Sequence, residues 1–235
     1  MAGNGGNAAR WEQLPVPLAE GVQLRGVQLP GFDGRPLPHP NPTVDDFAGW
    51  LAEDINKRDR PRVLFGTGIG GSIGLQAAQS ANLADGYIFH SPVGPNLDTR
   101  LLPKLMKPRP LRSAVKKTIG GPAGRLLLRR RYRDRLSPEI IDDFAQGYLT
   151  CDAFEVLWDV LDAEWFTSLQ PIAEPAILLW GGKDAVLGTD LAEGFKSVLP
   201  DAEVVVEPDW GHYPMLENPT EFAAAIASIA RRLVS

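Results

Sequence analysis

The residues Arg62-Val63-Leu64-Phe65-Gly66-Thr67-Gly68-Ile69-Gly70-Gly71-Ser72 decide how this chain is read. Val63, Leu64 and Phe65 form a short apolar run that ends at Gly66. A glycine cluster follows, and Ile73, Leu75, Ala77 and Ala78 then fit a helix packed on a sheet. The pattern is strand, sharp turn, helix. Small residues are needed at such a turn, because the chain reverses tightly and the helix must lie close to the strand.

Working outward toward the N-terminus, residues 22–29 alternate partly and predict a strand. Leu29-Pro30-Gly31-Phe32-Asp33-Gly34 ends it, and residues 36–42 are proline-rich. Thr43 with Asp46 predicts a helix cap, and Val44, Phe47, Leu51 and Ile55 follow at helical spacing. On the C-terminal side, Gly86-Tyr87-Ile88-Phe89-His90 predicts a strand. Open α/β sheets hold ligands at the carboxyl ends of their strands, so His90 is a candidate pocket residue. The competing reading is a loop histidine bonded to backbone.

Farther on, Pro175-Ala176-Ile177-Leu178-Leu179-Trp180 predicts a buried strand that ends in Gly181-Gly182-Lys183-Asp184. Glu203-Val204-Val205-Val206-Glu207 predicts another, ending in Pro208-Asp209-Trp210-Gly211-His212-Tyr213-Pro214. Asn218-Pro219-Thr220-Glu221 starts a last helix with the stripe Phe222, Ile226, Ile229 and Leu233. Between residues 95 and 168 the strand–helix alternation breaks. Ser137-Pro138-Glu139 is a helix start, followed by Ile140, Ile141, Phe144 and Tyr148. Phe154, Leu157, Trp158, Leu161 and Trp165 form a second apolar stripe.

Gly66-x-Gly68-x-x-Gly71 also has the spacing of a dinucleotide fingerprint. That fingerprint wants an acid at the end of the following strand. Here that strand ends in His90-Ser91, and Asp85 precedes it, at the wrong end.

Composition narrows the classes. The chain has 235 residues, 44% hydrophobic, with a net charge of −5. No apolar run is long enough to cross a bilayer. The single cysteine, Cys151, rules out an intrachain disulfide framework. With only His39, His90 and His212, far apart in sequence, neither a metal site nor a cofactor is expected. The N-terminal residues show no signal-peptide pattern, and a cytoplasmic location is the expectation.

Charge is unevenly spread: residues 100–135 hold thirteen Lys/Arg and one acid, Asp134, for a net +12. Such a block can attract an anionic ligand, an acidic carrier protein or a membrane surface, or be a solvated helix face balanced by acids elsewhere. Nucleic acid is not expected, since no recognition motif accompanies the charge and the chain as a whole is acidic.

Taken together, the elbow and the two loops at Asp184 and His212 resemble the α/β-hydrolase superfamily. The order elbow, acid, histidine matches it. The resemblance implies a mostly parallel α/β sheet flanked by helices, with a core of residues 1–94 and 169–235 and a helical cap at 95–168. It also implies that strands preceding residue 1 in the family are absent here. The family's elbow is Gly-x-Ser-x-Gly; Gly66-Thr67-Gly68-Ile69-Gly70 puts glycine in the nucleophile's place. Ala2-Gly3-Asn4-Gly5 and Trp11 sit in the register of its oxyanion loop, with Ala2 in place of histidine. A glycine-rich disordered terminus is the competing reading there.

Carried over residue by residue, His212 is the base, Asp184 its orienting acid and Gly68 the vacant nucleophile position. Gly3, Asn4 and Ile69 are the oxyanion donors. Thr67, His90 and Trp158 are candidate contacts to a small-molecule substrate. Three readings stay open. In one, a His–Asp dyad acts without a covalent intermediate on a small apolar carbonyl or ester compound, by hydrolysis or lyase chemistry. In another, an inactive relative binds a small ligand. In the third, a serine hydrolase has had its nucleophile replaced.

Overall fold

The computed structural model describes Trp11, Leu14 and residues 22–95, 97–132 and 136–235. At its centre is a four-stranded parallel sheet in the order β1 (Val63–Thr67), β2 (Gly86–His90), β3 (Ala176–Gly181) and β4 (Glu203–Glu207). The register pairs Thr67 with His90, His90 with Leu179, and Gly181 with Glu207. The carboxyl ends of all four strands therefore form one edge.

β2 and β3 are buried along their whole length, as expected of parallel strands covered on both faces. Their side chains alternate between two cores. Tyr87, Phe89, Leu178 and Trp180 enter the larger one, with Phe47, Leu51 and Ile73 from helices α1 (Val44–Asn56) and α2 (Ile69–Ala77). Ile88, Ile177 and Leu179 enter the other, with Phe65, Trp11 and Phe222.

The starts of the helices follow the expected chemistry. The Thr43 hydroxyl accepts from the Asp46 N–H, and the Asp46 carboxylate accepts from the Thr43 N–H at 2.7 Å. Among the described residues, six short helices lie between β2 and β3: α3 (Leu101–Met106), α4 (Arg109–Gly120), α5 (Pro122–Arg131), α6 (Pro138–Leu149), α7 (Ala153–Val160) and α8 (Ala163–Ser168). Ser137 caps α6 by accepting from the Ile140 N–H. A 3-10 segment, Thr189–Ser197, joins β3 to β4, and α9 (Pro214–Glu217) and α10 (Pro219–Val234) close the chain. Asn218 caps α10 by accepting from the Glu221 N–H.

Two sequence expectations are corrected. Residues 22–29 are not a strand. Leu24 faces one core, and Val27 and Leu29 face the other, so the alternation is real. A strand also needs a neighbour to hydrogen-bond, and none of the described strands pairs with this segment. The stripe 154–165 is likewise two helices. Leu161 leaves helical geometry at φ −93°, ψ 88°, and the Asp162 carboxylate restarts the chain by accepting from the Trp165 N–H at 2.8 Å.

Candidate functional site at the carboxyl edge of the sheet

The turn after β1 is as tight as its glycines imply. A side chain on Gly66 would meet the backbone of Gly70 and Gly71 at 2.8 Å, so α2 packs directly on the strand. Gly68, the residue between strand and helix, has φ 53° and ψ −125°, a conformation open to glycine and costly to other residues. A Cβ built there would touch nothing within 4 Å. The apex of the turn therefore has open space. The Gly68 N–H donates to the His90 carbonyl at 3.0 Å, tying the apex to the end of β2. Ile69 opens α2, where a backbone N–H has no acceptor within its own helix.

Ser72 serves the packing. Its hydroxyl donates to the Val93 carbonyl at 2.6 Å, fixing α2 to the loop after β2.

Asp184 follows β3, and its side chain is fully buried. One carboxylate oxygen accepts the backbone N–H groups of Val186 and Leu187, each at 2.8 Å. The other accepts the Ser91 hydroxyl at 2.9 Å and faces His212 Nδ1 at 2.8 Å. Burial alone would push this carboxyl up. The His212 contact and the two N–H donors outweigh it and hold the group below the usual carboxylate range, so it is ionised at neutral pH. An ionised Asp184 accepts the Nδ1 proton and leaves Nε2 with the lone pair.

The histidine loop is placed by backbone contact. Gly182 N–H donates to the Glu207 carbonyl at 2.8 Å, and Lys183 N–H to the Trp210 carbonyl at 2.9 Å. A side chain on Gly181 would lie 2.4 Å from the Trp210 carbonyl, so only glycine lets the two loops run this close. His212 keeps 14% of its side chain exposed, enough for a small reactant to reach it.

The remaining sequence candidates fall differently. His90 ends β2 as a strand residue, fully buried, so it does not line an open pocket or sit in a loop. Its Nδ1 lies 2.7 Å from the Thr67 hydroxyl, also buried, across the strand pair. Burial pushes the imidazole down to about 3, with the nearby His212 acting in the same direction, so His90 is neutral at ordinary pH. Its Nε2 has no partner among the described residues. Thr67 and His90 thus support the floor beneath the edge. Trp158 is half-buried on α7 against the main core, and no described contact joins it to Asp184 or His212. Gly3 and Asn4, the other oxyanion candidates, lie outside the described residues. Among the described residues no cluster of His, Cys, Asp and Glu could hold a metal.

Two participants were not legible in the sequence. Ser91 adopts φ 41°, rare for serine, and its hydroxyl reaches an aspartate 93 positions later. Nothing local signals that partnership. Tyr213 lies beside His212, with ring centres 4.6 Å apart. It also packs on Phe144 of α6 at 5.0 Å and shares a hydrogen bond with Tyr148. Burial pushes the Tyr148 phenol up to about 12 and raises the Tyr213 phenol well above its ordinary value. The helical insert is thereby anchored to the histidine loop.

Known proteins resemble this chain in sequence and in fold. The chain is 33% identical over 70 residues to a pimeloyl-[acyl-carrier protein] methyl ester esterase of Aromatoleum aromaticum, covering 30% of this chain and 28% of that one. It is 24% identical over 242 residues to an uncharacterized protein of Mycobacterium tuberculosis, covering 94% and 71%. The first of these alignments thus spans well under two thirds of the relative's length. In fold, it is similar to the crystal structure of a putative lipase of Acinetobacter baumannii, with TM-score 0.76, 18% identity and coverage of 99% and 82%. The family model described as alpha/beta hydrolase family matches residues 2–225, and the chain belongs to that family.

Proposed function

We propose that the protein is a hydrolase that cleaves a small, largely apolar ester or related carbonyl compound with a His212–Asp184 dyad and no covalent intermediate. The observation that carries this reading is the 2.8 Å contact between His212 Nδ1 and a buried, four-fold anchored Asp184, at the same sheet edge as the open apex of Gly68. Glycine has no nucleophile to offer. Its missing side chain leaves room for a water beside the substrate carbonyl.

In this scheme His212 Nε2 takes a proton from that water as its oxygen attacks the carbonyl carbon. The carbonyl π pair moves onto oxygen, and backbone N–H groups at Ile69, and at Gly3 and Asn4, hold the developing negative charge. The intermediate collapses, the bond to the leaving group breaks, and the imidazolium returns its proton to the departing oxygen. Asp184 stays ionised throughout and steadies the imidazolium. The relative named as a methyl ester esterase supports an ester as the substrate class.

The test uses short aryl esters of acetate and butyrate with the purified chain. We expect turnover that a serine-directed fluorophosphonate does not block, and that His212→Ala lowers by roughly 10²–10⁴-fold. Silence toward esters, together with saturable binding of apolar ligands, would instead assign the protein to the inactive, ligand-binding reading.

A further inference from the structure

We propose that the outer faces of α3, α4 and α5 form a docking surface for an anionic lipid bilayer. The proposal rests on the surface of the insert and is independent of the chemistry at His212.

The observation is where leucines and cations fall on three consecutive helices. On α3, Leu101 and Leu105 are 72% and 48% exposed, and Lys104 is exposed between them. On α4 the exposed face carries Leu111, Ala114 and Lys117. On α5, Leu126 and Leu127 are 51% and 62% exposed, with Arg130 and Arg131 one turn farther along the same side. Large apolar side chains are rarely left in water in such density without a partner.

Part of the cationic block is used inside the insert. Arg112 is buried and pairs with Asp159, which also holds Arg109. Lys116 pairs with Asp152, and Arg129 with Asp142 at 2.8 Å. Lys104, Lys107, Lys117, Arg130 and Arg131 form no ion pair with any described acid. No Asp or Glu occurs anywhere in residues 99–132.

The complementary partner must be negative throughout and apolar just beneath its charge. A bilayer with anionic headgroups has that layering: leucines enter the acyl boundary while long Lys and Arg side chains reach back to phosphates. A protein partner fits less well. Protein interfaces are enriched in Trp, Tyr and Phe, whereas residues 101–131 contain no aromatic side chain and the exposed face offers leucines among lysines and arginines.

The test is sedimentation of the full chain with phosphatidylcholine vesicles, with and without phosphatidylglycerol, at low and high salt. Binding is expected only with the anionic lipid and is expected to weaken with salt. R130S with R131S should weaken it roughly 30-fold, at about fivefold for each charge near the surface. L126S with L127S should weaken it roughly tenfold or more, through lost apolar burial. Circular dichroism of both double variants should match the parent, since these side chains are exposed.

Equal binding to neutral and anionic vesicles, no binding, or binding indifferent to L126S with L127S would overturn the proposal. So would failure to bind vesicles while polyglutamate is retained through Arg130 and Arg131, an outcome that would assign the surface to an acidic protein.

Discussion

The carboxyl edge of the sheet and the helical insert above it are held together in opposite ways. At the edge, backbone does the fixing. Gly68 bonds to His90, Gly182 to Glu207, Lys183 to Trp210, and two further N–H groups hold Asp184. In the insert, short helices bury an inner apolar face that includes Phe144, Phe154 and Leu157, are further pinned by charged side chains such as Arg112, and leave leucines on the outside. The edge therefore tolerates almost no change in backbone shape, whereas the outer insert tolerates almost any side chain. A site that must aim an imidazole needs the first kind of construction, and a surface that meets a soft partner needs only the second.

Substitutions can break that contrast or sharpen it. Gly181→Ala should have the largest effect on stability, about 3 kcal/mol, because its Cβ would press on the Trp210 and Gly211 carbonyls and neither can move freely. Denaturant unfolding measures this, and a loss under about 1 kcal/mol would show that the histidine loop is looser than described. Arg112→Ala should cost about 2 kcal/mol. It removes the staple between α4, α7 and the Lys107 carbonyl, while Asp159 keeps Arg109 and some contact with water.

Ser91→Ala should cost about 1.5 kcal/mol, the value of a hydrogen bond to a charged group. Ser91→Gly loses the same bond but relaxes the positive φ, so it should cost less than Ser91→Ala. The reverse order would mean that the positive φ at Ser91 carries no strain, and a cost near zero for both variants would mean that the hydroxyl is not what holds Asp184.

Acid titration probes the floor of the site. Unfolded, His90 takes a proton near its ordinary value of 6.5; folded, it resists until about 3. The unfolded state then binds the extra proton, so stability is complete above about pH 6.5 and falls on acidification toward 3, by up to about 1.4 kcal/mol per pH unit. The depressed Asp184 carboxyl acts in the same direction at the lower end. His90→Gln should flatten the slope between pH 6.5 and 4 in thermal melts, and an unchanged slope would contradict the neutral, buried imidazole. Smallest of all, Leu126→Ser should move stability by less than about 0.5 kcal/mol.

The sheet was readable because a buried parallel strand is a local property: Ile177, Leu178, Leu179 and Trp180 are apolar whichever neighbours they find. Asp184 and His212 stood out as candidates because each follows a strand, the buried β3 and the half-exposed β4, in a loop rich in glycine or proline. What escaped depends on contacts between distant segments. Ser91 gains its role only when β2 and β3 lie side by side, and residues 22–29 fail as a strand only because no described strand pairs with them. His90 looked like a pocket residue from its place at a strand end. The Thr67 hydroxyl across the ladder absorbs it into the core instead. The leucines of α3 and α5 gave no sequence signal of exposure, since a leucine reads as core until the helix it sits on is seen to have nothing over it.

The central claim is that an imidazole fixed by Asp184 serves the open apex at Gly68. Gly68→Ser tests it most directly, through the rate of covalent labelling by a fluorophosphonate probe. A serine there should be activated by His212, so the account predicts labelling of Gly68→Ser that disappears when His212→Ala is added. A folded Gly68→Ser protein that stays unlabelled, or that labels equally well without His212, would contradict it.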